Sequence, residues 1–344
     1  MTRYFVDRIL LTTLPTLLVI AAFSFAITRA FLPDDFKSLI IDEYGRKDRN
    51  LAARIDSEVG LNGRTPIRFA QWLGVTWPWD GKTGILEGDF GTSLVSRRPV
   101  TSEVFERLPA TIEVAALAQL MALGIALPLG LVASLRRDKW PDRLIGAIAR
   151  FGVFPSVILA IQFITFGGLW WDPPIRFDPL WRDPLQNLQL LLPPACFMSL
   201  MPAGIFIRLA RHQMIEVLDD PSPGTNIPWR YRVRALKDTH VRAALVPIVL
   251  GSGMSLQLLI GAAILYEQIF IVPGIGLLTV HALAYIDYPV LCGLILILAA
   301  VLVLITRLAE LVCAFLMSKP IHSGAHRPDV RLWTHMYGAS QERR

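Results

Sequence analysis

The sequence predicts an all-α integral membrane protein of six transmembrane helices, with an outer lobe between helices one and two. Three observations carry that expectation. Of 344 residues, 53% are apolar and only 18% are charged, against roughly 45–50% and about 25% in a soluble domain. Mean hydropathy is +0.47. The apolar excess is concentrated in six windows without Asp, Glu, Lys or Arg: 9–29 up to Arg29, 114–135, 151–171, 184–207, 243–266 and 288–306. Between their bounding charges these hold 20, 22, 21, 24, 24 and 19 residues. At about 1.5 Å per residue, about 20 residues cross the ~30 Å hydrocarbon layer. The charge-free stretch 69–79 has eleven residues and is too short. A soluble enzyme is excluded.

The first window follows Arg3 and Arg8, as a secretory signal peptide would. It is longer than the 7–15 residues of a typical h-region, and no small-x-small cleavage site follows, so 1–31 reads as an uncleaved anchor. Arg29 can snorkel to the headgroups. The polar segment 32–110, punctuated by Gly and Pro, is long enough for a folded outer lobe. Its Trp72, Trp77 and Trp79 read as an interfacial belt or lobe core, and Trp170–Trp171 close the third span in the same manner. Residues 111–317 form a five-helix core containing the inner loop 208–242, and 318–344 form a tail.

Orientation follows from the basic residues. With the N-terminus inside, segments 1–8, 136–143, 208–242 and 318–344 carry 18 Lys and Arg, and the two short outer loops carry two, Arg176 and Arg182. Positive charge stays on the cytoplasmic side, so both termini are expected there. The net charge of +6 therefore reads as basic inner loops and not as a nucleic-acid surface.

No covalent chemistry is indicated. Cys196, Cys292 and Cys313 fall in or beside apolar windows and read as packing residues. The six histidines show no metal-ligand spacing, and no nucleophile elbow, zinc-protease motif or phosphate loop occurs. The chain is expected to bind no cofactor and to hydrolyse no ATP. What remains is polar side chains within spans: Gln119, Gln162, Gln257 and, at a span end, Glu267. A polar group in hydrocarbon needs a partner. These four either bond neighbouring helices or line a translocation pathway. Arg307 and Glu310, three apart, read as a local ion pair.

The loop 208–242 is far longer than a connection requires. It ends in the basic segment 229–240, where Arg230, Arg234 and Lys237 recur at helical spacing. Such a segment is a stop-transfer cluster, a headgroup contact or a cytoplasmic docking surface.

Several stretches carry a family resemblance. They are Tyr4-Phe-Val-Asp-Arg-Ile-Leu-Leu-Thr-Thr-Leu-Pro-Thr-Leu17 at the start, Gly88-Asp-Phe-Gly-Thr-Ser93 with Arg98-Pro-Val100, and Arg107-Leu-Pro-Ala-Thr-Ile-Glu-Val114. The most specific is Glu267-Gln-Ile-Phe-Ile-Val-Pro-Gly-Ile-Gly276, followed by Asp287-Tyr-Pro289. The chain resembles the first inner-membrane permease subunit of bacterial dipeptide/oligopeptide/nickel ABC importers, the binding-protein-dependent type. The resemblance implies a second permease subunit, two cytoplasmic ATPase subunits carrying ATP and Mg, an extracytoplasmic solute-binding protein and an inner-membrane location. It also implies a coupling loop with an Asp, a Gly nine residues later and a Pro at the foot of span five. Asp220 and Pro247 fit, as does Arg242-Ala-Ala-Leu-Val-Pro247, but Trp229 stands at the Gly position. Three prolines and a glycine in 221–228 exclude a normal helix interior there.

The expected function is half of the pore of an ATP-driven importer for peptides or similar small solutes, working by alternating access. The absence of a His cluster facing outward favours an organic solute over nickel. A degenerate scaffold subunit and a stand-alone secondary carrier are the alternatives; the charge-free span interiors disfavour a carrier, which needs intramembrane acids. The topology is checked by reporters active only outside the cytoplasm. A fusion at Asp178 is expected to be active and one at Gly224 silent; the reverse pattern overturns the orientation.

Overall fold

The computed structural model describes residues 15–24, 84–151, 156–167, 176–219, 238–285 and 287–318, with a few isolated positions besides. Among them the regular structure is helical, apart from a single bridge between Thr92 and Pro99. In chain order the helices are α1 (Pro15–Ser24), α2 (Val100–Leu135), α3 (Trp140–Phe151), α4 (Ser156–Gln162), α5 (Pro184–Asp219), α6 (Asp238–Phe270), α7 (Ile275–Ala284) and α8 (Tyr288–Ser318). Helix α4 runs on into a π turn, Phe163–Gly167.

Helices α2, α5, α6 and α8 are long and apolar enough to cross a membrane, over Val100–Leu135, Pro184–Glu216, Val246–Phe270 and Tyr288–Phe315. They coincide with the second, fourth, fifth and sixth charge-free windows. The first and third windows correspond to the shorter apolar helices Pro15–Ser24 and Ser156–Phe166, so the described residues show four full-length spans. Nearly all of 32–83, and the tail beyond Ser318, lie outside the described residues.

The helices outrun the charge-free windows. Helix α2 begins at Val100 and carries Glu103, Glu106, Arg107 and Glu113 before its apolar stretch. Helix α5 continues past Arg208 to Asp219, and α6 begins at Asp238, so both ends of the segment 208–242 are helical. Absence of charge marks the hydrocarbon crossing, whereas a helix ladder continues in water wherever propensity and packing support it. Two short helices also stand where connections were expected. Helix α3 starts within the segment 136–143 and continues along α2 to Phe151, and α7 lies within the connection 267–287 before the last span.

Helices α2 and α5 pack along much of their length. Ala110, Ala115, Ala118, Ala122, Ala126, Gly130 and Ala133 of α2 are all buried. In lipid, association depends on close van der Waals contact because tails are as apolar as side chains, and small residues permit it. The approach is close at Gly130: a Cβ there would lie 2.6 Å from the Ala210 Cβ and 3.1 Å from the Arg211 backbone nitrogen and the Ile207 carbonyl. Phe206, Ile207 and Ala210 of α5 join Ile145 and Ala149 of α3 and Ile248 of α6 in one cluster around this contact. A second cluster toward the other end joins Val114 and Ala118 with Leu191, Met198, Leu259, Phe270 and Val272.

The α2–α3 connection is tight. Asp138 takes a left-handed backbone (φ 62°), and its N–H donates to Asp142 Oδ2 at 3.0 Å. Prolines sit inside α2 (Pro109, Pro128), α5 (Pro193, Pro194, Pro202) and α6 (Pro247). Each removes an N–H and frees a carbonyl that a membrane helix must satisfy from neighbours.

Gly130→Ala and Gly124→Ala gain the same helix propensity, about 1 kcal/mol, but only Gly130 meets backbone; a Cβ on Gly124 meets nothing within 4 Å. Thermal unfolding of the purified protein in detergent is expected to fall for Gly130→Ala and to hold or rise for Gly124→Ala.

Candidate functional site

The residues with the strongest sequence pattern gather at one end of the bundle, where α2 begins, α6 ends and α7 and α8 start. Gly88-Asp-Phe-Gly-Thr-Ser93 and Asp287-Tyr-Pro289 are neighbours there. The Asp287 carboxylate, 3% exposed, accepts hydrogen bonds from Ser93 Oγ at 2.5 Å and the Leu94 N–H at 3.2 Å. The Val100 N–H donates to the Gly91 carbonyl at 3.0 Å, fastening the same loop to the start of α2. A small cavity of about 150 Å³ opens beside this loop, lined by Ser93, Glu103, Arg107, His281, Tyr285 and Asp287 among others.

Glu267 forms the second knot. It is 1% exposed. Its carboxylate accepts from Thr111 Oγ1 at 2.6 Å and from the Leu277 N–H at 3.1 Å. Thr111 Oγ1 in turn accepts from the Ile275 N–H at 2.8 Å. Two orphan donors at the start of α7 thus find α2 and α6 side chains, and the carboxylate sits where the helix dipole favours negative charge. The backbone N–H of Val272 donates to the Glu267 carbonyl at 3.0 Å, closing the turn between the two helices. The glycines of the motif follow from this geometry. A Cβ on Gly274 would fall on the Glu267 carboxyl group, and one on Gly276 on the Ile264 backbone.

The intramembrane glutamines divide. Gln119, 7% exposed, accepts from Ser255 Oγ at 2.8 Å, linking α2 to α6. Gln257 Nε2 donates to the Leu302 carbonyl at 3.0 Å and to Thr306 Oγ1, linking α6 to α8. Gln162 is exposed on α4. Arg307 pairs with Glu310 at 2.9 Å within α8. Of the loop residues, Asp220, Trp229, Arg230, Arg234 and Lys237 lie outside the described residues, and Arg242 is described only as part of α6.

Two features were not visible residue by residue. Asp142 at the start of α3 accepts from Arg211 Nε at 2.6 Å and from its Nη2 at 2.7 Å. This bidentate pair holds the Asp142 carboxyl below the usual carboxylate range, against the opposing effect of its burial. Asn187 Nδ2 likewise donates to Glu113 at 2.6 Å, tying α5 to α2. The signal for both was present as charged or amide residues at the edges of apolar windows, but the partners stand 69 and 74 positions apart.

Comparison with known proteins settles the family. Residues 232–319, which hold α6 to α8 and Glu267, match the model of the binding-protein-dependent transport system inner membrane component. Over 302 residues the chain is 32% identical to a Brucella abortus protein named as a peptide transport system permease, covering 87% of this chain and 92% of that one. A Brucella suis protein named in the same terms matches to the same extent, 32% over 302 residues. The chain belongs to this permease family. The glutathione transport system permease protein GsiC of Salmonella typhimurium is 28% identical over 323 residues, 91% of this chain and 97% of that one. The protein is therefore a transmembrane permease subunit of an ATP-binding-cassette importer, in a family of inner-membrane transport permeases.

In this permease Glu267 and Thr111 act as one unit. Losing one buried hydrogen-bond partner costs about 1–3 kcal/mol. Glu267→Ala and Thr111→Val are each expected to lower the thermal stability of the permease, and the double variant to lose markedly less than their sum. Full additivity in a double-mutant cycle shows that the two side chains do not cooperate.

Proposed function

We propose that this permease forms half of a translocation pore for peptides or similar small solutes, paired with a second permease subunit. An extracytoplasmic solute-binding protein delivers the cargo. Two cytoplasmic ATPase subunits, which hold ATP and Mg, drive alternation between outward-open and inward-open states. Both termini face the cytoplasm, and hydrolysis belongs to the ATPases. The observation that carries the reading is the match to a peptide transport permease over 87% of this chain and 92% of that one.

Gln119, Gln257 and Glu267 serve in this reading as joints between helices that must move as one body, and Gln162 faces the shared path. Coupling to the motor falls to the basic segment 229–240, because 221–228 is too rich in proline for a helix. Arg230, Arg234 and Lys237 then meet acidic residues on the ATPase, where charge complementarity sets encounter and register.

Arg230→Glu combined with Arg234→Glu is expected to weaken co-purification of the ATPase and abolish uptake, with the membrane-embedded fold intact by thermal unfolding. Pro221→Ala with Pro223→Ala is expected to change little. Unchanged ATPase binding and uptake in the charge-reversed variant make this segment a headgroup anchor. A permease that never captures an ATPase is a scaffold, the second reading that the altered loop supports.

A further inference from the structure

Helix α3 has three sectors, and one of them is out of place in lipid. At about 100° per residue, Asp142, Ile145 and Ala149 share the side buried against α2 and α5. Trp140, Leu144 and Ile148 form a second stripe at a spacing of four, exposed at 72%, 51% and 52%. Arg143, Gly146, Ala147 and Arg150 fill the third sector, and both arginines are exposed. Seven residues separate the arginines, about two turns, so they stand on one line along the helix with only small residues between them.

Depth makes this sector informative. Helix α3 turns back along α2 through 136–139, and Ala149 shares a cluster with Ala122 and Ala126. Arg150 is ten residues beyond Trp140, about 15 Å along the axis. It is therefore level with the middle of the charge-free window 114–135 of α2. A guanidinium facing hydrocarbon at that level is strongly disfavoured. No carboxylate among the described residues pairs with Arg150, and the nearby Asp142 is taken by Arg211. Snorkelling toward the Trp140 end would bring Arg150 down the line of Arg143, placing two cations together in a poorly screened layer. Water around this sector relieves both costs.

We propose that the Arg143–Gly146–Ala147–Arg150 sector lines a water-filled path through the permease, and that Arg150 binds the carboxylate of a solute passing it. The planar guanidinium suits bidentate pairing with a carboxylate. Gly146 and Ala147 leave room for the solute, and the Trp140–Leu144–Ile148 stripe faces lipid. The solute half of the proposal rests on the peptide-transport reading above; the water half does not.

The test uses the permease expressed with its partner subunits, its three native cysteines replaced by Ala, in lipid nanodiscs. Single cysteines are introduced as Leu144→Cys, Ala147→Cys, Ile148→Cys and Arg150→Cys and reacted with a charged, membrane-impermeant methanethiosulfonate. Cysteines at 147 and 150 are expected to react at least about tenfold faster than those at 144 and 148. Equal rates at all four, or slow reaction at 147 and 150, overturn the water path. In uptake assays with trialanine and its C-terminal amide, Arg150→Gln is expected to lower trialanine uptake about tenfold and amide uptake little, and Arg150→Lys to keep most of both. Unchanged trialanine uptake in Arg150→Gln overturns carboxylate binding. If the unmodified permease carries neither compound, the peptide reading fails and carboxylate binding falls with it, while the labelling still decides the water path.

Discussion

A carboxylate at the end of a membrane helix must be surrounded by donors, because neither water nor lipid can satisfy it there. Glu267 meets that requirement with Thr111 of α2 and the first turn of α7. Three elements are fixed together as a result. Helix α7 has only ten residues, which alone is too short to be stable, and its opening N–H groups are the ones the knot occupies. The tight Pro273–Gly274 turn, the closeness of Gly276 to α6 and the placement of α8 all follow from that attachment. Asp287 repeats the principle at the head of α8, where its carboxylate gathers Ser93 Oγ and the Leu94 N–H.

Between the ends, the bundle relies on proximity. Leucine against leucine gains little in a membrane, since each already lies among hydrocarbon tails. The alanine stripe of α2 and the Gly130 contact let two backbones approach, so dispersion is collected over a long interface. The polar links, Gln119 to Ser255 and Gln257 to Leu302, add direction to that contact and fix the register of α2, α6 and α8.

How much of this was legible in the sequence depends on the range of the interaction. The four full-length spans were legible because hydrocarbon thickness acts on consecutive residues. Helix α3 was not, since Arg143 and Arg150 break the charge-free pattern that identifies a span, although they leave an amphipathic helix intact. Helix α7 was hidden in a connection between spans because its stability comes from Glu267, on another element. The glutamate itself was legible as an unusual residue at a span end, but its partner Thr111, 156 positions away, was not. In the loop, Asp220 was legible as a match to the family pattern, Trp229 as a departure from it, and Arg230, Arg234 and Lys237 as a basic stripe at helical spacing; all five stand outside the described residues.

The placement of polar contacts has a mechanical consequence. Helices α2 and α5 are joined at one end by Glu113 and Asn187, along their length by small residues, and near the other end through α3, where Asp142 grips Arg211. A pair of long helices fixed at three levels behaves as a rod, because shear between them would break contacts at every level at once. Helix α6 is held differently. It meets α2 through Gln119 and Ser255 and through Glu267 and Thr111, both in the half nearer α7, whereas toward its start it packs through Ile248 on α5 and Cys313 on α8. Polar side-chain links thus tie α6 to α2 in the half nearer α7, whereas its start rests on apolar contact with α5 and on the long Cys313 Sγ contact to the Val246 carbonyl.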